Sequence, residues 1–377
     1  MKDKNWAEEI ATKIFEKEKE VVARNYNRIP YTTEMGRFDD WSDDDKICWW
    51  TNGFWAAMLW QLYYAFSEDS FKECALGIEE KLDKNLMNYM GMDHDSGFKW
   101  LLTSGANFEL TKSEEAKNRF MLAAANLAGR FNLSASLIRA WNDPGNGDTA
   151  GWAIIDCMMN LPLLYKASEL TKDPRFTQIA TAHAARAMNV FIREDGSSHH
   201  IITFDPNTGD LLKPLGGQGM EEGSSWTRGQ SWALYGFSLS YLHTKQKDYL
   251  DTAIRVADYV LSQIPDNFHI PVDYCQPKDI AWEDDTAAAI TASGLLLLSK
   301  ELLDLDEARS KKYYDTAVAL LKTLAKDCCN WDKDVDHILT NCSAAYHDDH
   351  HNFAIIYGDY YFTEAILRLC EKEIFLW

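Results

Sequence analysis

Long uninterrupted apolar runs are missing from this 377-residue chain, and a leucine-rich stretch such as SGLLLLSKELL is too short to span a bilayer. The opening MKDKNWAEEIATKIFEKEKEVV lacks the apolar centre of a signal peptide and reads as an amphipathic helix. Basic residues are in deficit, with 38 Lys and Arg against 58 Asp and Glu, a net charge of −20. That balance excludes nucleic acid and anionic membrane surfaces as partners. It leaves room for a small anionic ligand, because a few cations inside a cleft outweigh a distant net charge. No CxxC pair occurs among the eight cysteines, and Cys157 and Cys370 fall within apolar helical patterns. Reduced thiols in a cytoplasmic protein are the reading that follows. Low-complexity segments and Pro/Ser-rich linkers are absent, so residues 1–377 read as one domain. Strand signals are few, and the one hairpin suggested is HHIITFDP with LLKPLGG.

What is present is a composition 46% hydrophobic and 25% charged, with 13% aromatics and 14 tryptophans. A unit of helix, short polar turn and helix recurs at residues 53–82, 154–188, 230–261 and 286–324. In each unit an aromatic after the turn is followed four residues later by alanine: Phe71/Ala75, Phe176/Ala180, Tyr249/Ala253 and Tyr313/Ala317. Each pair shares a helix face, and alanine lets a neighbouring helix approach closely. Further helical patterns at about 5–25, 98–108, 113–130 and 356–373 bring the count to roughly twelve helices, or six hairpins. Longer polar stretches at about 26–50, 91–98, 132–150, 194–225, 264–284 and 328–355 mostly lead into the next hairpin. A ring of six hairpins carries such loops on one face, where binding residues gather.

GSSWTRGQSW, residues 223–232, sets one cation between two indoles at a loop-to-helix junction. Ser224 or Ser225 is a natural N-cap there. Arg228 and Trp232 then share a helix face, a combination suited to a ring-shaped anion. The bland reading is a core helix start whose arginine pairs with a local carboxylate. GMDHDSGFKW places Asp93, His94 and Asp95 in a turn, either as turn and cap residues or as a carboxylate at the mouth of the ring. In AGWAIIDCMMNLPLLY, Asp156 interrupts an apolar run. Burial would raise its pKa and suit it to proton donation, or it is simply bonded to backbone or arginine. Alternation points only one of His199 and His200 inward. AYHDDHHNF carries His347, His350 and His351, but the spacing matches no defined metal site and reads as a solvated loop.

Taken in order, WWTNGFW, HDSGF, IIDCMMNLPLL, SSHHIITFDP, GSSWTRGQSWALYGF, DDTAAAITASGLL and GDYYFTEAILRL resemble the unsaturated glucuronyl hydrolases, glycoside hydrolase family 88. The resemblance implies an all-α fold, an (α/α)6 barrel of six helical hairpins whose long loops form the active-site face. It implies hydrolysis of lyase-generated oligosaccharides that end in a 4,5-unsaturated uronic acid, by hydration of the C4=C5 bond. By position it implies Asp156 as general acid/base and Asp95 as the second essential aspartate. Sugar contacts fall on Trp50, His94, Trp141, His200, Gln218, Arg228 and Trp232. No cofactor, metal, nucleic-acid or membrane partner is implied, and a monomer or weak homo-oligomer is expected. Some relatives carry a Ser-x-x-Ser-x-Lys pattern that receives a sulfate. Here the corresponding SAAYHDDHHNF has no lysine, so strong preference for a sulfated substrate is not expected. The alternatives are an unsaturated rhamnogalacturonyl hydrolase acting on pectin fragments and a sugar 2-epimerase on the same barrel.

Overall fold

The computed structural model describes residues 2–26, 28–142 and 149–377. Part of the long polar stretch at 132–150 therefore lies outside the described residues. Among these, helices dominate: α1 (Lys2–Asn25), α2 (Phe54–Phe66), α3 (Asp69–Met87), α4 (Ala106–Thr111), α5 (Glu114–Gly129) and α6 (Leu161–Thr171), then α7 (Arg175–Val190), α8 (Thr227–Thr244), α9 (Lys247–Gln263), α10 (Asp285–Leu302), α11 (Glu307–Thr323) and α12 (Ile356–Leu369). A π-helical segment, Gly97–Gly105, runs straight into α4 and makes one rod with it.

The rods alternate in character, and that alternation builds the barrel. In α2, α6, α8, α10 and α12 buried residues run almost all the way round, as in the stretch Thr227–Ser240 of α8. Such helices have no polar face to offer water and form the inner ring. The helices α1, α3, α5, α7, α9 and α11 bury one stripe only and wrap outside it. The aromatic–alanine pairs lie on that stripe of α3, α7, α9 and α11, each residue at most 2% exposed. The first and last helices, α1 and α12, pack together and close the ring.

Turns between inner and outer helices are short and follow a common device. Ser67, Lys112, Lys172 and Lys245 end α2, α4, α6 and α8 in the left-handed conformation. This conformation stops each helix within one residue. The opposite face carries the long segments, together with small antiparallel ladders: β1 (Thr33–Glu34) with β2 (Arg37–Phe38), and β3 (Phe131–Asn132) with β4 (Leu137–Ile138). A three-stranded sheet there joins β5 (Trp152–Ile154), β6 (Ile201–Phe204) and β7 (Leu211–Leu215). The β6–β7 hairpin is the one anticipated from HHIITFDP and LLKPLGG. The added strand β5 was not, because its WAI reads equally well as the start of the apolar run after it.

One local expectation fails. Neither Ser224 nor Ser225 caps α8; Trp226 occupies the N-cap position and makes no side-chain cap. Asp273 takes both serines instead, accepting from the Ser224 hydroxyl at 2.7 Å and the Ser225 backbone N–H at 3.1 Å. The helix begins at Thr227, past both serines, and the Thr227 N–H donates to the Val272 carbonyl at 3.1 Å.

Candidate active site

The candidate catalytic and sugar-contacting residues lie on the loop segments that precede the inner helices or in the first turns of α8. The acidic half is built around Asn160. A turn in which Asp93 accepts the Asp95 backbone N–H at 3.0 Å presents His94 and Asp95 just ahead of the π-helical segment. Strand β5 runs into a 3₁₀ turn, Ile155–Met159, that presents Asp156. Asn160 follows that turn. Its side chain donates to Asp95 Oδ1 at 3.1 Å and to the Asp156 carbonyl at 3.4 Å, and accepts from the Phe98 N–H at 2.9 Å. Gly97 makes this meeting possible: a Cβ there would stand 2.7 Å from Asn160 Oδ1 and 2.8 Å from its Cα.

His200 faces Asp156 from the sheet, with Nε2 3.7 Å from Asp156 Oδ1. The Ile155 N–H donates to the His200 carbonyl at 3.1 Å and holds the two segments in register. His200 Nδ1 accepts the Gln218 backbone N–H at 3.0 Å, which places the ring proton on Nε2, toward the carboxyl. His94 stands on the other side, its Nε2 3.4 Å from Asp95 Oδ2.

Burial dominates the electrostatics here. It pushes the Asp156 carboxyl up to about 7, opposed by the positive charge of Arg228. Asp95 is raised well above the ordinary carboxylate range by burial and by the nearby charges of Asp93 and Asp156, with Lys99 opposing. Burial lowers His94 to about 4 and His200 to about 3, so both rings are neutral near pH 7. The pair of acids therefore carries a proton at neutral pH, between two neutral imidazoles.

The basic half is finished internally. Arg228 is 1% exposed and pairs with Asp284 through a short Nη1 contact. It also donates to the carbonyls of Ser343, at 2.6 Å, and Ala344. The Trp226 and Tyr357 rings lie 4.4 Å and 5.6 Å from the guanidinium carbon. Asp284 in turn caps α10, accepting the Thr286 and Ala287 N–H groups through Oδ1. Gln218 Nε2 donates to the Ala344 carbonyl at 2.7 Å, so His200, Gln218 and Arg228 are tied to one loop.

Among the aromatics, Trp50 is half-buried, 4.8 Å from Tyr357 and 5.5 Å from Phe98 between ring centres. Trp141 is 38% exposed beside Trp152. Trp232 has no exposed surface and packs beneath Phe98 and against Tyr361. The bland reading of GSSWTRGQSW thus holds in part: Trp232 is core and Arg228 has its carboxylate. Asn160, Phe98, Asp284 and Tyr357 escaped the sequence reading. Asn160 alone left a signal, a polar residue four after Asp156 inside an apolar run.

His347, His350 and His351 do not converge on a metal site: His347 Nε2 lies 2.7 Å from the Met220 carbonyl oxygen, and His351 stacks on Trp282 at 3.8 Å. Among the described residues, the donors that do gather are His269, Glu283 and Cys328, with His269 Nδ1 already 3.1 Å from Glu283 Oε2.

The chain is 34% identical over 363 residues to the unsaturated glucuronyl hydrolase of Bacillus sp. (strain GL1), covering 93% of this chain and 94% of that one. It is 32% identical over 333 residues to the unsaturated chondroitin disaccharide hydrolase of Streptococcus pyogenes serotype M1, covering 85% and 80%. The crystal structure of an unsaturated glucuronyl hydrolase from Bacillus sp. GL1, described as responsible for the degradation of glycosaminoglycan, superposes with a TM-score of 0.89 at 30% identity, covering 97% and 96%. Both chains share the helical barrel. Residues 14–368 match the model of Glycosyl Hydrolase Family 88, and the chain belongs to that family of glycoside hydrolases.

Proposed function

We propose that the protein is an unsaturated glucuronyl hydrolase that removes the 4,5-unsaturated uronic acid from the non-reducing end of lyase-generated glycosaminoglycan oligosaccharides. The observation that carries the reading is Asp156: a carboxyl 15% exposed with Oδ1 buried, protonated up to about pH 7, facing a neutral histidine and joined to a second acid by Asn160.

The chemistry asked of it is addition of water to an enol ether. The Asp156 carboxyl gives its proton to C4, and positive charge develops at C5 and the ring oxygen. Water adds at C5 and loses a proton to the Asp156 carboxylate, so the acid is restored. The product is a hemiketal at C5. It opens to the C5 ketone, the C1 hemiacetal collapses to the aldehyde, and the neighbouring sugar leaves with its glycosidic oxygen. One water is consumed. A group poised near neutral pH is the efficient donor and acceptor for such a cycle. His200 Nε2–H orients the carboxyl or the water, and Asp95 holds sugar hydroxyls in register with Asp156. Arg228, fixed by Asp284, supplies a positive potential to the substrate carboxylate, while Trp50 and Trp141 offer flat faces to sugar C–H surfaces. SAAYHDDHHNF offers no lysine to a sulfate, which favours unsulfated or lightly sulfated substrates. We place the enzyme in the cytoplasm as a single domain, monomeric or weakly oligomeric, in keeping with its eight free cysteines.

The test is to mix the protein with unsaturated disaccharides from chondroitin, hyaluronan and heparin and follow the ultraviolet absorbance of the double bond. The expected result is loss of absorbance with release of the amino sugar. Loss only with a pectin-derived unsaturated disaccharide would move the protein to the rhamnogalacturonyl class. No loss with any of these sugars would overturn the reading.

A further inference from the structure

Two buried histidine nitrogens next to the acid pair are left without a partner, and each is what the other requires. His183 sits on the outer helix α7, yet its ring points inward and is 0% exposed. Its Nδ1 accepts the Ile138 backbone N–H at 2.9 Å. A nitrogen that accepts carries no proton, so in the neutral ring Nε2 carries it. That Nε2–H is fully buried and has no hydrogen-bond partner. His94 presents the converse: its Nε2 lies 3.4 Å from Asp95 Oδ2, while its buried Nδ1 has no partner. A buried polar group left unpaired is uncommon, and here two complementary ones occur together.

The backbone brings the two rings to one place. The His94 N–H donates to the Ala140 carbonyl at 3.1 Å, and His183 takes the N–H of Ile138, two residues earlier on the same segment. Arg139, between them, turns its own N–H the other way, to the Arg130 carbonyl of the neighbouring strand. Residues two apart in extended chain direct their polar groups to the same side. Both histidines therefore flank one edge of that segment, and His94 is the one neighbouring ionisable group that contributes to the downward displacement of His183.

We propose that His183 is a positioning residue for catalysis: its Nε2–H donates to His94 Nδ1, which fixes the His94 proton on Nε2 and aims it at Asp95 Oδ2. With Asn160 donating to Oδ1, the Asp95 carboxyl then accepts on both oxygens. Accepting on both oxygens favours the anion and works against the burial that raises Asp95. Asp95 so held leaves the shared proton to Asp156. The chain Ile138 N–H, His183, His94, Asp95 thus settles which acid is the donor. This assignment rests on the hydrolase reading for its catalytic consequence, but the tautomer it specifies does not depend on any substrate.

The experiment has two arms. In the wild-type protein labelled with ¹⁵N-histidine, His94 should show a single neutral tautomer, with Nδ1 bare and accepting and Nε2 protonated. A His94 protonated on Nδ1, or exchanging between tautomers, overturns the proposal even if no variant folds. In the second arm, His183→Leu should lower kcat on the preferred unsaturated disaccharide about 10- to 100-fold with KM little changed, the scale expected when a reacting group is misplaced by about 1 Å. His183→Gln, which keeps an N–H donor near the same place, should recover most of kcat and the single His94 tautomer. Equal kcat in all three proteins, or equal losses in Leu and Gln variants that track their thermal stability, overturns the positioning role. A locked tautomer in a protein inactive on every unsaturated sugar would instead sink the hydrolase reading and leave the histidine pair standing.

Discussion

The two halves of the site solve the problem of buried charge in opposite ways. Around Arg228 nearly everything is closed: one carboxylate, two carbonyls and two aromatic faces engage the guanidinium, and its partner Asp284 also caps a helix. Around Asp156 matters are left open, with Asp156 Oδ1 and His200 Nε2 both buried and unpartnered. The closed half is built for permanence, a fixed potential that needs no reorganisation when substrate arrives. The open half keeps hydrogen-bonding capacity that only a substrate, water or moving proton can use. Stability and reactivity are thus divided between two halves of one site.

The largest effect should come from the open half. Asp156→Asn preserves the shape and removes the exchangeable proton, so kcat should fall by about 10³-fold or more. The wild-type kcat should decline as pH rises past about 7, where Asp156 loses its proton. Stability should move the other way in the variant. The folded-state pKa of Asp156 is raised above its unfolded value near 4, so its contribution is fully present below pH 4 and is lost as pH rises to about 7. Asparagine carries no such loss. The variant should therefore match or exceed wild type in denaturant melts above pH 7, by as much as a few kcal/mol. A variant equally destabilised at pH 4 and pH 8 would show that the carboxylate is not strained there.

Breaking the closed half should cost stability first. Arg228→Leu strands Asp284 in the interior, and loss of one member of a buried pair costs roughly 3–5 kcal/mol. Chemical denaturation should show that drop. The double variant Arg228→Leu/Asp284→Asn should recover much of it without recovering activity. If the single variant unfolds like wild type, the closed half is not the anchor described.

A smaller effect sharpens the boundary between the halves. Gly217 has φ +60°, and a Cβ there would lie 2.0 Å from His200 Nδ1. Gly217→Ala must push His200 away from Asp156, lowering kcat about 10- to 100-fold while the Arg228 side stays intact. Unchanged kcat would show that His200 has no orienting role.

Much of this was legible in the sequence because it is local. Phe71/Ala75 and its three counterparts lie one helical turn apart, and the packing they imply needs no knowledge of distant residues. The ring of six hairpins and the loop face follow from such repeats. Asp95 and Asp156 stood out as acids in apolar or turn settings. What joins them did not. Asn160 meets Asp95 across 65 residues of chain and Arg228 meets Asp284 across 56, and no local pattern encodes those pairings. Trp232 illustrates the same limit: an indole four residues after Arg228 is equally suited to a sugar platform and to the core, and the packing of Phe98 and Tyr361 puts it in the core.

The most direct test of the central claim, that the Asp156 side protonates the double bond and leaves the glycosidic bond to fall apart afterwards, is the sulfur-linked analogue of the preferred disaccharide. Thioglycosides resist enzymes that protonate the glycosidic atom, but hydration at C4 and C5 never touches that atom. The account predicts loss of the double-bond absorbance at a rate comparable to the oxygen-linked sugar, and no loss with Asp156→Asn. Cleavage of the oxygen-linked sugar with the sulfur-linked one untouched would contradict it.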